Sequence, residues 1–178
     1  MPTIISHLAV PLAAGLGLGR RIVPTPLLVG GVVASMLPDL DVVGFKLGIA
    51  YASELGHRGF SHSLVFALAV ALLAVPILRR FQVNWAASFW FVLFAVVSHD
   101  LLDAFTTGGK GVALFWPFSG SRFFAPYQVI EVSPISIACF MSERGVAVLL
   151  SELRWVWIPS IALGAALWCC RRLLCRVR

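Results

Sequence analysis

Residues Trp85–Phe105 read WAASFWFVLFAVVSHDLLDAF, and this stretch decides the fold class. It is aromatic at its start, apolar through the middle and free of charge until its last turns. An α-helix needs about 20 mainly apolar residues to cross a bilayer. Trp85 and Trp90 suit the aromatic belt at a membrane interface. The end breaks the pattern: His99-Asp100-Leu101-Leu102-Asp103 places an imidazole and a carboxylate at i and i+4, on one helix face. The stretch predicts a membrane span with chemistry at one end.

The rest of the chain agrees. Of its 178 residues, 60% are hydrophobic and 12% charged, with a mean hydropathy of +0.93; a soluble domain carries about 25% charged residues. Further apolar runs are Ile4–Gly19, Leu27–Leu37, Ser63–Leu78 and Trp155–Cys170. The prediction is an all-α, polytopic helical membrane protein forming one domain over residues 1–178, with about five transmembrane helices. The first two are short and form a tilted or partly inserted hairpin. In the first, Gly15, Gly17 and Gly19 permit close helix contact. Residues 106–153, rich in Gly, Pro and aromatics, form a folded loop region on the site face, too long for a simple connection. Met1–Ser6 lacks the basic start of a removable signal peptide. Cys139, Cys169, Cys170 and Cys175 show no Cys-x-x-Cys spacing, so neither a disulfide framework nor a thiolate metal site is expected. The net charge of +6 comes mostly from isolated basic pairs between apolar runs. That is not a nucleic-acid footprint.

Five alternating spans sort the charges. One face receives Arg20, Arg21, Arg79, Arg80, Arg171, Arg172, Arg176 and Arg178, with no acid. The other receives Lys46, Arg58, Lys110, Arg122, Arg144 and Arg154 with all 8 acids and all 4 histidines. The positive-inside rule then puts the arginine pairs in the cytoplasm and the His/Asp face in the periplasm or outside the cell.

Seven candidate metal ligands converge on that face from four segments: His7, Asp39, Asp41, His57, His62, His99 and Asp103. Ionisable residues near hydrocarbon are expensive and mark function by default. Imidazole with carboxylate suits Zn, Mn, Fe or Ni. Seven ligands exceed one tetrahedral centre, so two ions are expected. Pro38-Asp39-Leu40-Asp41 is an extended or turn segment, whose two carboxylates need not point together. Asp100 and Glu54 read as supporting or solvated carboxylates. Arg58, Lys110 and Arg122 are candidates to hold an anionic substrate. Thr106-Thr107-Gly108-Gly109-Lys110-Gly111 lacks the spacing of a nucleotide-binding phosphate loop. Trp116-Pro117-Phe118-Ser119 and the aromatics that follow suit a lipid-facing cleft.

A family resemblance rests on His7, Pro38-Asp39-Leu40-Asp41, His57-Arg-Gly-Phe-Ser-His62-Ser, His99-x-Leu-Leu-Asp103 with Thr106, and Pro117-Phe-Ser-x-x-Arg122. Together these resemble the YdjM-like family of bacterial inner-membrane proteins, described as metal-dependent hydrolases and also labelled LexA-binding. That family has been grouped at distance with zinc-dependent phospholipase C and P1-type nucleases. The resemblance implies a bacterial inner-membrane location. It also implies metal binding by His7, an Asp of the 39/41 pair, His57 or His62, His99 and Asp103, and phosphoester hydrolysis. Two departures argue against a third metal. The soluble enzymes use an N-terminal Trp as a ligand where this chain has Met1-Pro2, and their second His-x-x-x-Glu pair is missing.

The expected function is therefore a membrane-embedded metal-dependent hydrolase of a phosphoester in a lipid-linked or membrane-associated substrate, using metal-activated water. The catalytic residues would be Asp39, Asp41 and His62, with the general base whichever aspartate is not a ligand. The cofactor would be two divalent ions, Zn ahead of Mn or Fe. A metal transporter or metal-responsive membrane protein is the rival. It would need ionisable groups near the bilayer midplane, whereas these lie at span ends. A phospho-histidine lipid phosphatase lacks its Ser-Gly-His triplet here, and an intramembrane metalloprotease lacks His-Glu-x-x-His.

Overall fold

The computed structural model describes residues 1–176. Arg178, expected on the basic face, lies outside them, and so do the side chains of Cys175 and Arg176. The described residues form helices α1 (Ile4–His7), α2 (Ala9–Leu18), α3 (Thr25–Ala34), α4 (Leu64–Arg79), α5 (Trp85–Ala104), α6 (Ile137–Phe140), α7 (Glu143–Glu152) and α8 (Ile158–Arg176). The only β-pairing among them is two isolated bridges, Thr106 with Ile130 and Val112 with Phe123. The all-helical membrane class holds.

Helix α5 is the central strut. Asn84 caps it, its side-chain oxygen accepting from Ala86 and Ala87 N–H, which satisfies backbone donors that have no partner in the first turn. Its buried stripe is apolar at Phe91, Val92, Ala95 and Val96, then turns ionisable at His99, Asp100 and Asp103. Ala67 and Ala71 of α4 and Leu27 of α3 pack on the apolar part. Helix α4 starts at Ser63, whose hydroxyl accepts from Phe66 N–H, so the cap fixes the chain directly after His62. On the other side α2 packs along α8. A Cβ on Gly17 would stand 2.4 Å from the carbonyl oxygen of Gly164, so this crossing depends on the close contact that small residues permit.

Three helical stretches have the length and apolarity to cross a membrane: Thr25–Leu47, Trp85–Ala104 and Glu143–Leu174, with Ile4–Leu18 and Leu64–Arg79 shorter. Two differ from the expected bounds. The second does not stop at Leu37. Pro38 has no N–H for an α-helical bond, and the chain tightens into a 3-10 helix over Pro38–Leu47 rather than an extended turn. The last begins twelve residues before Trp155, because Glu143, Arg144, Glu152 and Arg154 interrupt hydropathy without interrupting helix propensity. A π-helical turn, Leu153–Trp157, joins α7 to α8. At 32 residues this helix is about 48 Å long, well beyond a hydrocarbon core of about 30 Å. Its α7 end therefore stands past the apolar layer, beside the loop region.

Candidate metal centre

Four chain segments bring the predicted ligands together at one end of the bundle. One ligand atom from each of Asp39, His62, His99 and Asp103 lies within 4.8 Å of the others, and all four residues are buried. His7 joins them. Its Nε2 is 3.6 Å from both Asp39 and Asp103, and its ring stacks on His99 at 3.6 Å. The 3-10 geometry explains why the two aspartates part company. At 3.0 residues per turn, i and i+2 face different ways. Asp39 points to His7 and His99, and Asp41 points to His57 and His62.

Asp41 is a saturated carboxylate. It accepts from Arg58 N–H at 3.1 Å and Ser61 Oγ at 2.7 Å, and it meets His57 Nδ1 at 2.6 Å and His62 Nδ1 at 3.3 Å. Asp39 and Asp103 differ. Their four oxygens, and both nitrogens of His7, are buried without a hydrogen-bond partner in the protein. Such orphans are rare in native structures and ask for an explanation. The nearest charge to Asp103 is Arg58, whose Nε stands 2.9 Å away.

The tautomers sharpen the point. His99 Nδ1 meets the carbonyl of Ser35 at 2.8 Å. A carbonyl only accepts, so that nitrogen carries the hydrogen. His62 Nδ1 faces Asp41 and by the same argument carries its hydrogen. As neutral rings both would turn an Nε2 lone pair inward, and these two atoms are 3.1 Å apart. Two ring nitrogens at that distance, beside two carboxylates, suit a shared cation, either a proton on His62 or a metal ion. Burial alone would depress the His62 imidazole, but without an ion the neighbouring Asp103 and Asp41 carboxylates outweigh it and push its pKa up to about 10, so a proton stands where an ion would sit. His57, in which burial prevails over its Asp41 partner, is pushed down. The donor set of imidazole and carboxylate suits Zn, Mn or Fe.

The remaining predicted residues separate by place. Arg58 is fully buried. Its guanidinium also donates to Thr106 Oγ1 and the Gly108 carbonyl, each at 2.9 Å. Its backbone is left-handed, φ 63°, a conformation costing of order 1–3 kcal/mol in a non-glycine residue and concentrated at functional sites. Lys110 is exposed. Arg122 donates to the backbone carbonyls of His57 and Ser53, each at 2.9 Å, and so pins the loop to the ligand-bearing segment. Glu54 is solvent-exposed, whereas Asp100 is wholly buried. Phe118 is exposed and Trp116 packs edge-on to Phe60.

Sequence reasoning missed Glu152. This buried carboxylate accepts from the Thr3 N–H, from Thr3 Oγ1 at 2.7 Å and from Ser6 Oγ at 2.7 Å, while Trp157 Nε1 donates to Ser6 Oγ at 3.1 Å. It ties the segment carrying His7 to the long last helix. A charged residue two before Arg154 read as the edge of a loop. Only the continuity of the helix places it inside.

Fold and site together define a polytopic helical membrane protein with a buried His/Asp cluster, able to hold a metal ion, at one end of the bundle. The chain belongs to the family described as YdjM inner membrane protein, whose family model matches residues 1–174. It is 51% identical over 173 residues to "Inner membrane protein YbcI" of Escherichia coli (strain K12), a match covering 97% of this chain and 100% of that protein. No solved structure matches it. The descriptions bear out the family and an inner-membrane setting. They name neither an activity nor a likeness to nucleases or phospholipases.

Proposed function

We propose that the protein is a membrane-embedded metal-dependent hydrolase acting on a phosphoester of a membrane-associated substrate. The observation that carries the reading is the pair of inward Nε2 atoms of His62 and His99, 3.1 Å apart beside the Asp39 and Asp103 carboxylates, with Asp39 left without any hydrogen-bond donor. Asp39, His62, His99 and Asp103 would hold the ion, with His7 completing the shell. A bound divalent ion would supply Lewis acidity and lower the pKa of water.

The chain's own residues do the rest. Asp41 fixes the tautomer and tilt of His62, an outer carboxylate role that commonly accompanies a ligating imidazole. Ser35 does the same for His99 through its carbonyl. Arg58 balances Asp103, so a dication beside Asp39 and Asp41 leaves the cluster near neutral, and the ion itself would supply the attraction for a phosphate oxygen. Lys110 is exposed two residues after Gly108, whose carbonyl accepts from the Arg58 guanidinium. The trio Asp41, His57 and His62 is a second possible metal group. It shares His62 with the first, however, and its carboxylate already has four partners. One ion per chain is the reading we favour, with Asp41 as the positioning carboxylate rather than the general base. A metal path through the bilayer finds no support: toward the arginine end the α5 stripe closes with Val96, Val92 and Phe91.

The test is metal analysis of purified protein together with a phosphoester screen of the metal-replete form. One Zn, Mn or Fe per chain is expected, with turnover that a chelator stops. Metal-free protein with an intact fold would refute the centre. Bound metal without any turnover, but with metal flux in proteoliposomes, would install the transporter. The orientation proposed is a cluster on the periplasmic side.

A further inference from the structure

One cavity reaches the cluster. It has a volume of about 390 Å³, and its wall combines Met1 and Thr3, Ile4 and Ile5 of α1, Val42 of the 3-10 helix and five of residues 133–140 around α6, with Asp39 the lining residue it shares with the cluster. Asp39 is buried, and both its oxygens lack a hydrogen-bond partner in the protein. The cavity therefore joins an apolar channel to a ligand of the metal centre. Its mouth is also apolar: Ile5 is 60% exposed, Ile135 61% and Ile137 80%. Such a cluster beside water would be a liability. Ile4 and Ile5 open the apolar helix Ile4–Leu18, and Val42 lies in the last turns of the apolar stretch Thr25–Leu47, so this mouth belongs at the lipid boundary.

Resting on the hydrolase reading above, we infer that this cavity binds the hydrocarbon chain of a membrane lipid whose phosphate lies at the cluster. The substrate class is then a lipid phosphate entering sideways from the bilayer, not a soluble phosphoester arriving from water. The occupant follows from the two ends of the cavity. The outer end is lined by aliphatic side chains open to lipid. The inner end meets the cluster, where Arg58 and a dication would offer cationic partners to a phosphate. A single molecule satisfies both only if it carries an apolar chain and an anionic head. A second groove, between α3 and α4, has a similar volume of about 340 Å³ and is lined by Gly30, Val33, Leu73 and Ile77, with no ionisable residue. It is an internal control for bulk lipid contact.

The experiment uses metal-replete protein in phosphatidylcholine nanodiscs doped with phosphatidic acid bearing a diazirine on its acyl chain. A parallel sample carries the same label on diacylglycerol. After irradiation, peptide mass spectrometry maps the adducts. The expected result is labelling of Ile4, Ile5 and residues 133–140 that needs the phosphate, while the α3/α4 groove labels equally with both lipids. Filling the mouth with Ile137→Trp, or independently with Ile5→Trp, should cut cavity adducts about tenfold and leave the groove unchanged. Both positions are more than half exposed, so melting temperature should hold. Equal cavity labelling by the two lipids, or labelling indifferent to both variants, overturns the inference. Phosphate release from glycerol phosphate without cavity adducts would keep the hydrolase and discard the lipid site. Phosphate-dependent adducts without release from any phosphoester would do the reverse.

Discussion

The two ends of the helix bundle carry charge in opposite ways. Where α2, α4 and α8 finish, Arg20, Arg21, Arg79, Arg80 and Arg172 point into the surroundings without an acid beside them. At the other end His7, Asp39, His57, Arg58, His62, His99, Asp100 and Asp103 are buried together. An exposed arginine costs little and biases the orientation of a span. A buried charge loses its hydration and must recover several kcal/mol from partners. The arginine end therefore has freedom to vary, whereas the cluster end holds only while its charges are mutually satisfied, and Asp39 has no hydrogen-bond donor within the protein.

The strongest way to break the contrast is Asp103→Ala. The substitution removes a ligand and leaves Arg58 buried without its anion, which costs about 3–5 kcal/mol when one partner of a buried pair is deleted. Bound metal should fall below detection by elemental analysis, and the melting temperature in detergent should drop sharply. Asp103→Asn separates the two effects, losing metal with a smaller fall in melting temperature. Retention of metal in both variants would remove Asp103 from the site. Gly17→Leu attacks the other half of the molecule. Its side chain meets the Gly164 carbonyl, so α2 and α8 must part, at a cost of about 1–3 kcal/mol for an overpacked contact. Melting should fall while metal per chain stays constant. Loss of metal as well would show that the two ends are coupled through α2.

How far the sequence reveals this contrast differs between residues. The ionisable end of α5 was legible, because His99 and Asp103 share a face at i and i+4 and the helix is unambiguous. The convergence of His7, Asp39, His57 and His62 was legible from the alternation of five spans, since each sits at a span end on the same side. The partition within the set was not. Asp39 and Asp41 are two residues apart in a segment that reads as a turn, and only the 3-10 helix sends them to different imidazoles. Arg58 and Arg122 look alike as free bases. The left-handed backbone that buries one and the carbonyls that occupy the other are tertiary facts. Glu152 was hidden for a related reason: a carboxylate near a span end reads as solvated until its partners, Thr3 and Ser6, arrive from the far end of the chain.

Asp41→Asn should weaken metal binding about 10–100-fold, the usual cost of losing an orienting carboxylate, without abolishing it. Titration with a fluorescent chelator gives the affinity directly. A complete loss would promote Asp41 to a ligand and favour two ions. Glu152→Gln should do less. The amide keeps the shape but not the full accepting capacity for Thr3 and Ser6, so the segment bearing His7 loosens. Metal per chain should persist and affinity should fall by less than about tenfold, below the range for a direct orienting partner. Unchanged affinity would make the Glu152 network structural only.

The smallest effect belongs to the arginine end. Replacing Arg79 and Arg80 by alanine removes two exposed charges with no acidic partner among the described residues, so stability should change by less than about 0.5 kcal/mol and metal content not at all. Orientation is the property these residues serve, and cysteine accessibility reads it. With the 4 native cysteines replaced by alanine, Ser121→Cys on the loop of the cluster face should react with a membrane-impermeant maleimide in intact spheroplasts. Phe81→Cys, beside Arg80, should react only after permeabilisation. The pattern should survive the double arginine replacement, because Arg20, Arg21, Arg171 and Arg172 remain on the same side and continue the bias. The opposite labelling would put the cluster in the cytoplasm. The metal centre would survive that result, since its geometry is indifferent to side, but its lipid substrate would then have to come from the inner leaflet.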